Sequence, residues 1–247
     1  MRITVLGGGG AWPTPQRGCS GYLIEQDGFL LLVDPGYATL PELLRRVAAP
    51  AVDAVFVSHG HADHCADLNP LLRARHLSEH PPRPLPVFAP PGAADAVLAL
   101  DGQMLSGTYT LREFGAGDGF TIGPFQLNTR SLSHFVPNVG VRITAGDVAI
   151  AYTGDGGADP AVAELADGAW LLLAEATFVD DVPPASRGLL ADARVAGTHA
   201  TAAHVGQLVL THLWPDTDPA AAERAARTTF DGPLSVALPG LAIDLGE

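Results

Sequence analysis

The sequence predicts an α/β fold built as a four-layer αββα sandwich, in which two sheets face each other and helices cover both outer surfaces. Two observations lead to this prediction. The 247-residue chain is 47% hydrophobic and only 17% charged, which suits a large core. A strand-rich segment followed by alternating strands and helices also occurs twice in succession. Because no linker or low-complexity stretch separates the two halves, we expect residues 1–247 to form one domain.

In the first half, short apolar runs bounded by turn residues predict strands, and Gln26-Asp27-Gly28 marks a hairpin between two of them. The first helix is amphipathic, begins near Pro41 and ends before Pro50. The predicted strands are Met1–Leu6, Ser20–Glu25, Phe29–Val33, Val52–Ser58 and Pro86–Ala89. The predicted helices are Leu40–Val47, Ala66–Arg75 and Ala93–Leu100.

The second half opens with a series of short strands separated by glycine turns, which suits antiparallel pairing. These strands are Leu111–Phe114, Phe120–Ile122, Phe125–Ser133, Val139–Thr144 and Val148–Tyr152. Helices then alternate with strands, and Asp192 is the expected N-cap of one helix. The helices are Ala158–Leu165, Asp192–Ala203 and Pro219–Thr229, and the strands are Trp170–Glu175, Gln207–Thr211 and Ser235–Ala237.

The most informative stretch of the chain follows the predicted strand Val52–Ser58. It reads His59-Gly60-His61-Ala62-Asp63-His64, three imidazoles and a carboxylate within six residues. Zinc and similar cations prefer these ligand types in proteins. A solvated, histidine-rich loop is the alternative interpretation, but crowding such polar groups together brings no benefit to folding. Because open α/β sheets place their sites at the carboxyl ends of strands, the stretch predicts a metal site.

Three further residues of ligand type, His134, Asp155 and His212, each follow an apolar strand. Taken singly, each is weak evidence, because a lone histidine is more often simply hydrogen-bonded and an aspartate after Thr-Gly suits a turn. Together with the first stretch they form a set in which every member lies past a strand end. The predicted metal ligands are His59, His61, Asp63, His64, His134, Asp155 and His212.

With these residues the sequence resembles the metallo-β-lactamase-fold hydrolases over nearly the whole chain, through the specific motif H-x-H-x-D-H. It is most similar to the ribonuclease Z-type branch, in the loop Leu6–Arg17 and the segments Leu173–Phe178 and Leu210–His212. The resemblance implies the αββα sandwich and two divalent metal ions, zinc by default with manganese or iron as alternatives. It places His59, His61 and His134 on the first metal, Asp63, His64 and His212 on the second, and Asp155 between the two.

The resemblance also implies the chemistry of the site. Two cations about 3.5–4 Å apart share a water, lower its pKa to about 7 or below and so supply metal-bound hydroxide. Asp63 is the predicted catalytic residue, because it would orient that hydroxide. The ligand imidazoles need hydrogen-bond acceptors behind them, and the candidates are Asp34, Ser58 and Glu175. Asp34 precedes Pro35-Gly36, so a simple turn residue is an equal interpretation there.

The sequence departs from the tRNA-processing members of that branch in two places. Those enzymes carry an accessory His-x-Thr motif, separated by a full helix from the last metal ligand. His199 lies only 13 residues before His212 and inside a predicted helix, whereas Leu190 stands where the accessory residue falls. The segment from His134 to Asp155 spans 21 residues, enough for one hairpin and too short for a tRNA-gripping arm. The sequence therefore predicts that both features are absent.

The composition limits the classes of partner that the protein can bind. The net charge is −13, with 14 Lys+Arg and no basic patch. This argues against a long nucleic-acid substrate, because phosphate contacts supply most of that affinity. No apolar run suits a membrane span, and the chain opens with a strand rather than a signal peptide. Cys19 and Cys65 fit a reducing cytoplasm. We therefore expect a cytoplasmic protein with a small-molecule substrate and no membrane partner, with a homodimer left open.

The favoured function is hydrolysis of a small phosphodiester, such as a cyclic nucleotide, by metal-bound hydroxide. The first alternative is an acyl hydrolase (lactonase, thioesterase or β-lactamase-like), since the same metal pair would polarise a carbonyl. The second alternative is a non-catalytic metal-binding protein that keeps the fold, and the complete ligand set argues against it.

Overall fold

The computed structural model describes residues 1–246 and contains two seven-stranded sheets packed face to face. Hydrophobic side chains from both sheets fill the space between them, and helices cover the two outer faces. This is the predicted four-layer αββα sandwich, and the fold prediction is confirmed.

Within residues 1–246 the strands are β1 (Arg2–Gly7), β2 (Gly21–Gln26), β3 (Phe29–Val33), β4 (Ala54–Phe56), β5 (Leu85–Ala89), β6 (Tyr109–Glu113), β7 (Gly119–Ile122), β8 (Phe125–Leu132), β9 (Asn138–Ala145), β10 (Val148–Tyr152), β11 (Leu171–Glu175), β12 (Gln207–Thr211), β13 (Leu234–Val236) and β14 (Ala242–Asp244). The α-helices are α1 (Leu40–Leu44), α2 (Ala62–Cys65), α3 (Leu68–His76), α4 (Asp95–Leu98), α5 (Pro160–Ala166), α6 (Ala193–Ala202) and α7 (Pro219–Ala226). Short 3₁₀ helices occupy Ala49–Ala51, Gly102–Leu105 and Pro184–Ser186. No helix in this described range combines the length and the apolar character needed to cross a bilayer.

The two sheets repeat one strand arrangement. The first has the order β14-β1-β2-β3-β4-β5-β6 and the second has the order β13-β12-β11-β10-β9-β8-β7. In each sheet three antiparallel strands lead into three parallel ones, β1–β3 into β4–β6 and β8–β10 into β11–β13. One further antiparallel strand extends each sheet, β14 beside β1 and β7 beside β8. The repeated pattern seen in the sequence therefore corresponds to the two sheets.

The core between the sheets contains the largest buried side chains, including Tyr22, Phe56, Phe125 and Tyr152. Burying a side chain of this size contributes about 1.5–3 kcal/mol. On the outer face of the second sheet, α5, α6 and α7 pack mainly through alanines, and small side chains let helices approach closely. On the outer face of the first sheet, α1 and α3 pack through leucines instead.

The structure differs from the prediction at several element ends. The strand predicted at Val52–Ser58 is reduced to β4, because the Ser58 N–H donates to Asp34 Oδ1 at 2.7 Å instead of to a neighbouring strand. The predicted first and last helices run past the ends of α1 and α7, and the short helix α2 was not indicated. The prediction also misses β14, since three residues are too few to show an alternating pattern.

Candidate metal centre

The seven residues predicted as metal ligands lie together at the edge of the sandwich where β4, β8, β10 and β12 end. They form two groups, and within each group the ligand atoms lie within 4.8 Å of one another. The first group consists of His59, His61, His134 and Asp155, and the second consists of Asp63, His64 and His212. Residues far apart in sequence are therefore brought together as the strand-end pattern requires.

Four distances within the first group fit one metal coordination shell. His61 Nδ1 lies 3.1 Å from His59 Nε2 and 3.0 Å from His134 Nε2. Asp155 Oδ2 lies 3.6 Å from His59 Nε2 and 3.5 Å from His134 Nε2. Bonds of about 2.0–2.1 Å to one zinc ion place neighbouring ligands about 3.3 Å apart. These four atoms therefore match the corners of one coordination shell.

The second group shares Asp155 with the first. His212 Nε2 lies 3.2 Å from Asp63 Oδ2, and His64 Nε2 lies 3.8 Å from the same oxygen. Asp155 Oδ1 is 3.2 Å from His64 Nε2, while its Oδ2 is 3.3 Å from His212 Nε2. The Asp155 carboxylate therefore lies between the two groups and can offer an oxygen to each.

Hydrogen bonds on the far side of the rings aim two histidines at the centre. His134 Nδ1 donates to the Leu189 carbonyl at 2.8 Å, and His64 Nδ1 donates to Asp34 Oδ2 at 2.8 Å. In a neutral imidazole a proton on Nδ1 leaves a lone pair on Nε2. Both Nε2 atoms therefore face the centre as metal acceptors.

The other two Nε2 ligands are oriented through hydroxyl relays. His59 Nδ1 lies 3.0 Å from Ser58 Oγ, whose own proton goes to Asp34. His212 Nδ1 lies 2.8 Å from Thr177 Oγ1, which in turn donates to a carboxylate oxygen of Glu175 at 2.6 Å. Each hydroxyl already donates its hydrogen bond to an acidic side chain, so it accepts a hydrogen bond from the ring N–H. Nε2 of His59 and His212 is again left bare toward the centre.

Two buried atoms at the centre have no hydrogen-bond partner among the described residues, His64 Nε2 and Asp155 Oδ1. They face each other at 3.2 Å, both with lone pairs when His64 carries its proton on Nδ1. Leaving such atoms unpaired in the interior costs free energy. A cation between them satisfies both, and the imidazole and carboxylate donors suit zinc, manganese or iron. The residues present therefore fit a divalent metal.

The electrostatics of the metal-free groups also favour a cation. Burial lowers the pKa of His59 well below its usual range and lowers that of His134, so both rings stay neutral. Burial acts to raise the pKa of Asp155, but His212 and His64 hold it well below its usual range. Burial acts to lower the pKa of His64 and of His212, but Asp155 raises both together with a second carboxylate, Asp34 beside His64 and Asp63 beside His212. Binding of a metal displaces these protons, so affinity falls as pH falls.

Backbone conformation at the centre is unusual and supports this geometry. Asp34 has φ 48° and His212 has φ 58°, in the left-handed region that residues with a Cβ rarely adopt. Gly154, directly before Asp155, has φ 57°, and a Cβ there would lie 2.5 Å from Asn138 Oδ1. Only glycine therefore permits the close approach that places Asp155 between the ligand groups.

The structure also places the supporting residues. Asp34, Ser58 and Glu175, the candidates for that role, are buried behind the ligands. Sequence reasoning did not single out Thr177 or the Leu189 carbonyl as partners of His212 and His134. Thr177 lies in the segment Leu173–Phe178 that carries the family resemblance, so that segment held a signal. The Leu189 contact acts through the backbone, which leaves no trace in the side-chain sequence.

The structure places Leu190 and His199 in different surroundings. Leu190 directly follows Leu189, whose carbonyl contacts the metal-side residue His134. His199 lies within α6, where burial lowers the pKa of its imidazole. The Asp192 side chain accepts from the Val195 N–H at 2.8 Å and caps that helix, as predicted.

Two facing sheets between helices, with clustered histidine and aspartate donors at one edge, define a metallo-hydrolase of the metallo-β-lactamase fold. The chain belongs to the beta-lactamase superfamily, whose domain it matches over residues 30–213.

Individual relatives agree with this assignment. The probable metallo-hydrolase YhfI of Bacillus subtilis (strain 168) is 32% identical, over 97% of this chain and 98% of YhfI. The crystal structure of YhfI superposes with a TM-score of 0.90 at 30% identity, covering 98% of this chain and 99% of that one. Ribonuclease Z of Methanopyrus kandleri is 30% identical over 91% of each chain. A diphosphatase of the PhnP family shares the fold, with a TM-score of 0.79 at 18% identity over 99% of this chain and 98% of the other. The resemblance to the ribonuclease Z-type branch is confirmed.

Removing the metal is expected to lower the melting temperature by about 8–16 °C. A ligand at 1,000 times its Kd stabilises a protein by about 4 kcal/mol, and each kcal/mol shifts the melting temperature by about 2–4 °C at this size. Thermal unfolding is measured before and after dialysis against a chelator, and again after zinc, manganese or iron(II) is restored. Magnesium is the control, since it prefers oxygen ligands. A melting temperature that neither falls nor recovers contradicts the proposed centre.

Proposed function

We propose that the protein is a dinuclear metal-dependent phosphodiesterase that acts on a small phosphodiester, such as a cyclic nucleotide. The observation that carries this proposal is the position of Asp155 between the two ligand groups. Its carboxylate is shared by both groups, with Oδ1 beside His64 and Oδ2 beside His134. Two metal sites with a common carboxylate suit in-line displacement at phosphorus. The seven ligands are those predicted from the sequence, with zinc as the default metal.

When bound, the two cations supply Lewis acidity and lower the pKa of a coordinated water. The chain's own residues then have three tasks. Buried acceptors hold the Nδ1 protons of His64 and His134, which leaves Nε2 of each ring free to bind a metal. Asp155 fixes the separation of the two groups. Asp63 orients the attacking water.

Asp63 is suited to that role by how it is held. Its Oδ2 accepts from the Ala11 N–H at 2.8 Å and faces His212 Nε2 at 3.2 Å. These contacts fix the carboxylate plane and leave Oδ1 to accept a hydrogen bond from the attacking water. The Asp63 side chain is only 12% exposed, so few other waters compete for that oxygen. Asp63 is therefore the proposed catalytic residue.

The features beside the centre favour a small substrate. His134 and Asp155 are joined only by the hairpin β9–β10, which leaves no arm to grip a folded RNA. The net charge of −13 repels a long polyanion. Ribonuclease Z, by its name an RNA-cleaving enzyme, shows that a relative at 30% identity cleaves phosphodiesters. We therefore propose the same bond type on a small molecule, with no long nucleic acid as partner.

A panel of model substrates tests the proposal. The metal-loaded protein is assayed with bis-p-nitrophenyl phosphate, cyclic AMP, a lactone and a thioester. We expect metal-dependent turnover of at least one phosphodiester that is abolished by a chelator and restored by metal. Turnover confined to the lactone or the thioester would replace this proposal with the acyl hydrolase, and no turnover with full metal occupancy would favour a metal-binding protein.

A further inference from the structure

Three exposed aromatic side chains lie around the metal centre, and the proposed chemistry uses none of them. Trp12 is 48% exposed, Trp214 is 36% exposed and Phe135 is 54% exposed. Trp214 follows the ligand His212 by two residues, and Phe135 directly follows the ligand His134. Large exposed rings grouped beside a site are typical of surfaces that bind a ligand.

The loop that carries Trp12 is fixed to the second ligand group. The Ala11 N–H donates to Asp63 Oδ2 at 2.8 Å. Gly10 packs so closely on the His212 ring that a Cβ there would lie 2.7 Å from its Nδ1. Because consecutive Cα atoms are about 3.8 Å apart, the Trp12 Cα lies within about 8 Å of that carboxylate oxygen. Trp12 is therefore held beside the metal centre by its own backbone.

The neighbours of Trp12 support its indole without covering it. Trp12 and Trp214 meet edge to face, with centroids 5.1 Å apart at 82°. Phe178 stacks on Trp214 at 6.2 Å and 17°. The Arg17 guanidinium holds the Trp214 segment by donating to the carbonyls of Trp214 and Pro215 at 3.2 and 3.4 Å. Whichever ring supplies the edge, at least one face of Trp12 has no aromatic neighbour among the described residues.

We propose that Trp12 forms a stacking subsite for the nucleobase of a nucleotide phosphodiester, with Trp214 as the positioning residue. This inference rests on the proposed function and narrows its substrate class. An indole stacks on any base through its π-face, without a hydrogen-bond code. Stacking also requires no positive charge, which suits an acidic chain whose buried Arg17 is already engaged by carbonyls. The phosphate lies at the metals and the base lies on Trp12.

A pair of cyclic phosphodiesters isolates the contribution of the nucleoside, which is the base with its ribose. Cyclic AMP (3′,5′) and the cyclic phosphate of propane-1,3-diol contain the same six-membered phosphodiester ring, and only the first carries a base. Trp12→Ala is expected to lower kcat/KM for cyclic AMP about 10- to 100-fold, mainly through KM, and to change the propanediol ester less than about twofold. Trp12→Phe is expected to retain most of the cyclic AMP activity. Trp214→Ala is also expected to lower kcat/KM for cyclic AMP, but by a smaller factor.

Trp170 provides the control. It is 44% exposed and directly precedes β11, at the opposite end of the parallel strands from the metal centre. Trp170→Ala removes an equally exposed indole and should leave both substrates unchanged. If Trp12→Ala lowers kcat/KM equally for both substrates, the proposal is overturned. It is also overturned if only Phe135→Ala lowers kcat/KM for cyclic AMP selectively.

A binding measurement separates failure of the subsite from failure of the proposed function. The chain has three tryptophans, so Trp170→Phe leaves emission from Trp12 and Trp214 alone. In the metal-loaded variant, AMP is expected to quench this emission saturably, whereas ribose 5-phosphate, which has the phosphate and no base, is not. If no diester is hydrolysed but AMP alone quenches, the proposed function fails and the subsite stands. If AMP and ribose 5-phosphate behave alike, the subsite is wrong whatever the activity.

Discussion

Asp155→Asn is expected to reduce hydrolysis by at least about 10³-fold while leaving the fold intact. The Asp155 carboxylate is 2% exposed and lies 3.2 Å from His64 Nε2 and 3.3 Å from His212 Nε2. Asparagine has the same shape but no charge and a single oxygen, so it serves only one ligand group. Losing one preorganised electrostatic contact costs about 10²- to 10³-fold, and loss of a metal adds to this.

Metal content, circular dichroism and the rate with bis-p-nitrophenyl phosphate are measured on the same preparation. We expect fewer than two metal equivalents and an unchanged spectrum. Asp159→Asn is the matched control, because Asp159 caps α5 by accepting from the Ala161 N–H and asparagine caps equally well. An Asp155→Asn protein with two metals and a near-normal rate shows that Asp155 does not join the two sites.

The ligands could be predicted because each one is marked locally. A ligand-type residue such as His134 or Asp155 follows an apolar run, and both the run and the residue are visible in the sequence. The second sheet places the ends of β8, β10 and β12 at one edge, and packing of the two sheets brings the end of β4 beside them. The sandwich itself followed from a strand pattern that occurs twice, and the two sheets repeat it. Local patterns therefore mark the layers and the candidate ligands, whereas the division of the ligands between two metals was implied by the family resemblance.

The hydrogen bonds behind the ligands depend on contacts that no local pattern shows. Tyr152 reads as one more apolar strand residue, yet its hydroxyl donates to Asp34 at 2.7 Å across 118 residues of chain. Leu189 contributes only a carbonyl, which every residue type has. Thr177 reaches His212 only because β11 and β12 are parallel neighbours. Tertiary structure thus determines which ring nitrogen carries the proton, whereas the sequence shows only that a histidine is present.

Asp34→Asn is expected to weaken metal binding strongly, although Asp34 lies behind the ligands. Its carboxylate is fully buried and accepts from the Ser58 N–H, the Ser58 hydroxyl, His64 Nδ1 and the Tyr152 hydroxyl. In Asp34→Asn the amide nitrogen faces at least one of these donors in either orientation. We expect metal affinity to fall about 10- to 100-fold, because His64 loses the charged acceptor that fixes its proton. We also expect about 1–3 kcal/mol less stability from the unpaired buried donor.

Tyr152→Phe distinguishes the charge of Asp34 from the loss of one of its hydrogen bonds. It removes one donor at 2.7 Å and leaves the carboxylate free to hold His64 at 2.8 Å. Metal affinity, measured by competition with a chromophoric chelator, should therefore change much less than in Asp34→Asn, while urea unfolding shows a loss of about 1 kcal/mol. Equal losses of affinity in the two variants would mean that breaking any hydrogen bond to Asp34 weakens the site, whatever the charge of residue 34. A loss confined to Asp34→Asn means that a residue bound to no metal sets which nitrogen of His64 is available to one.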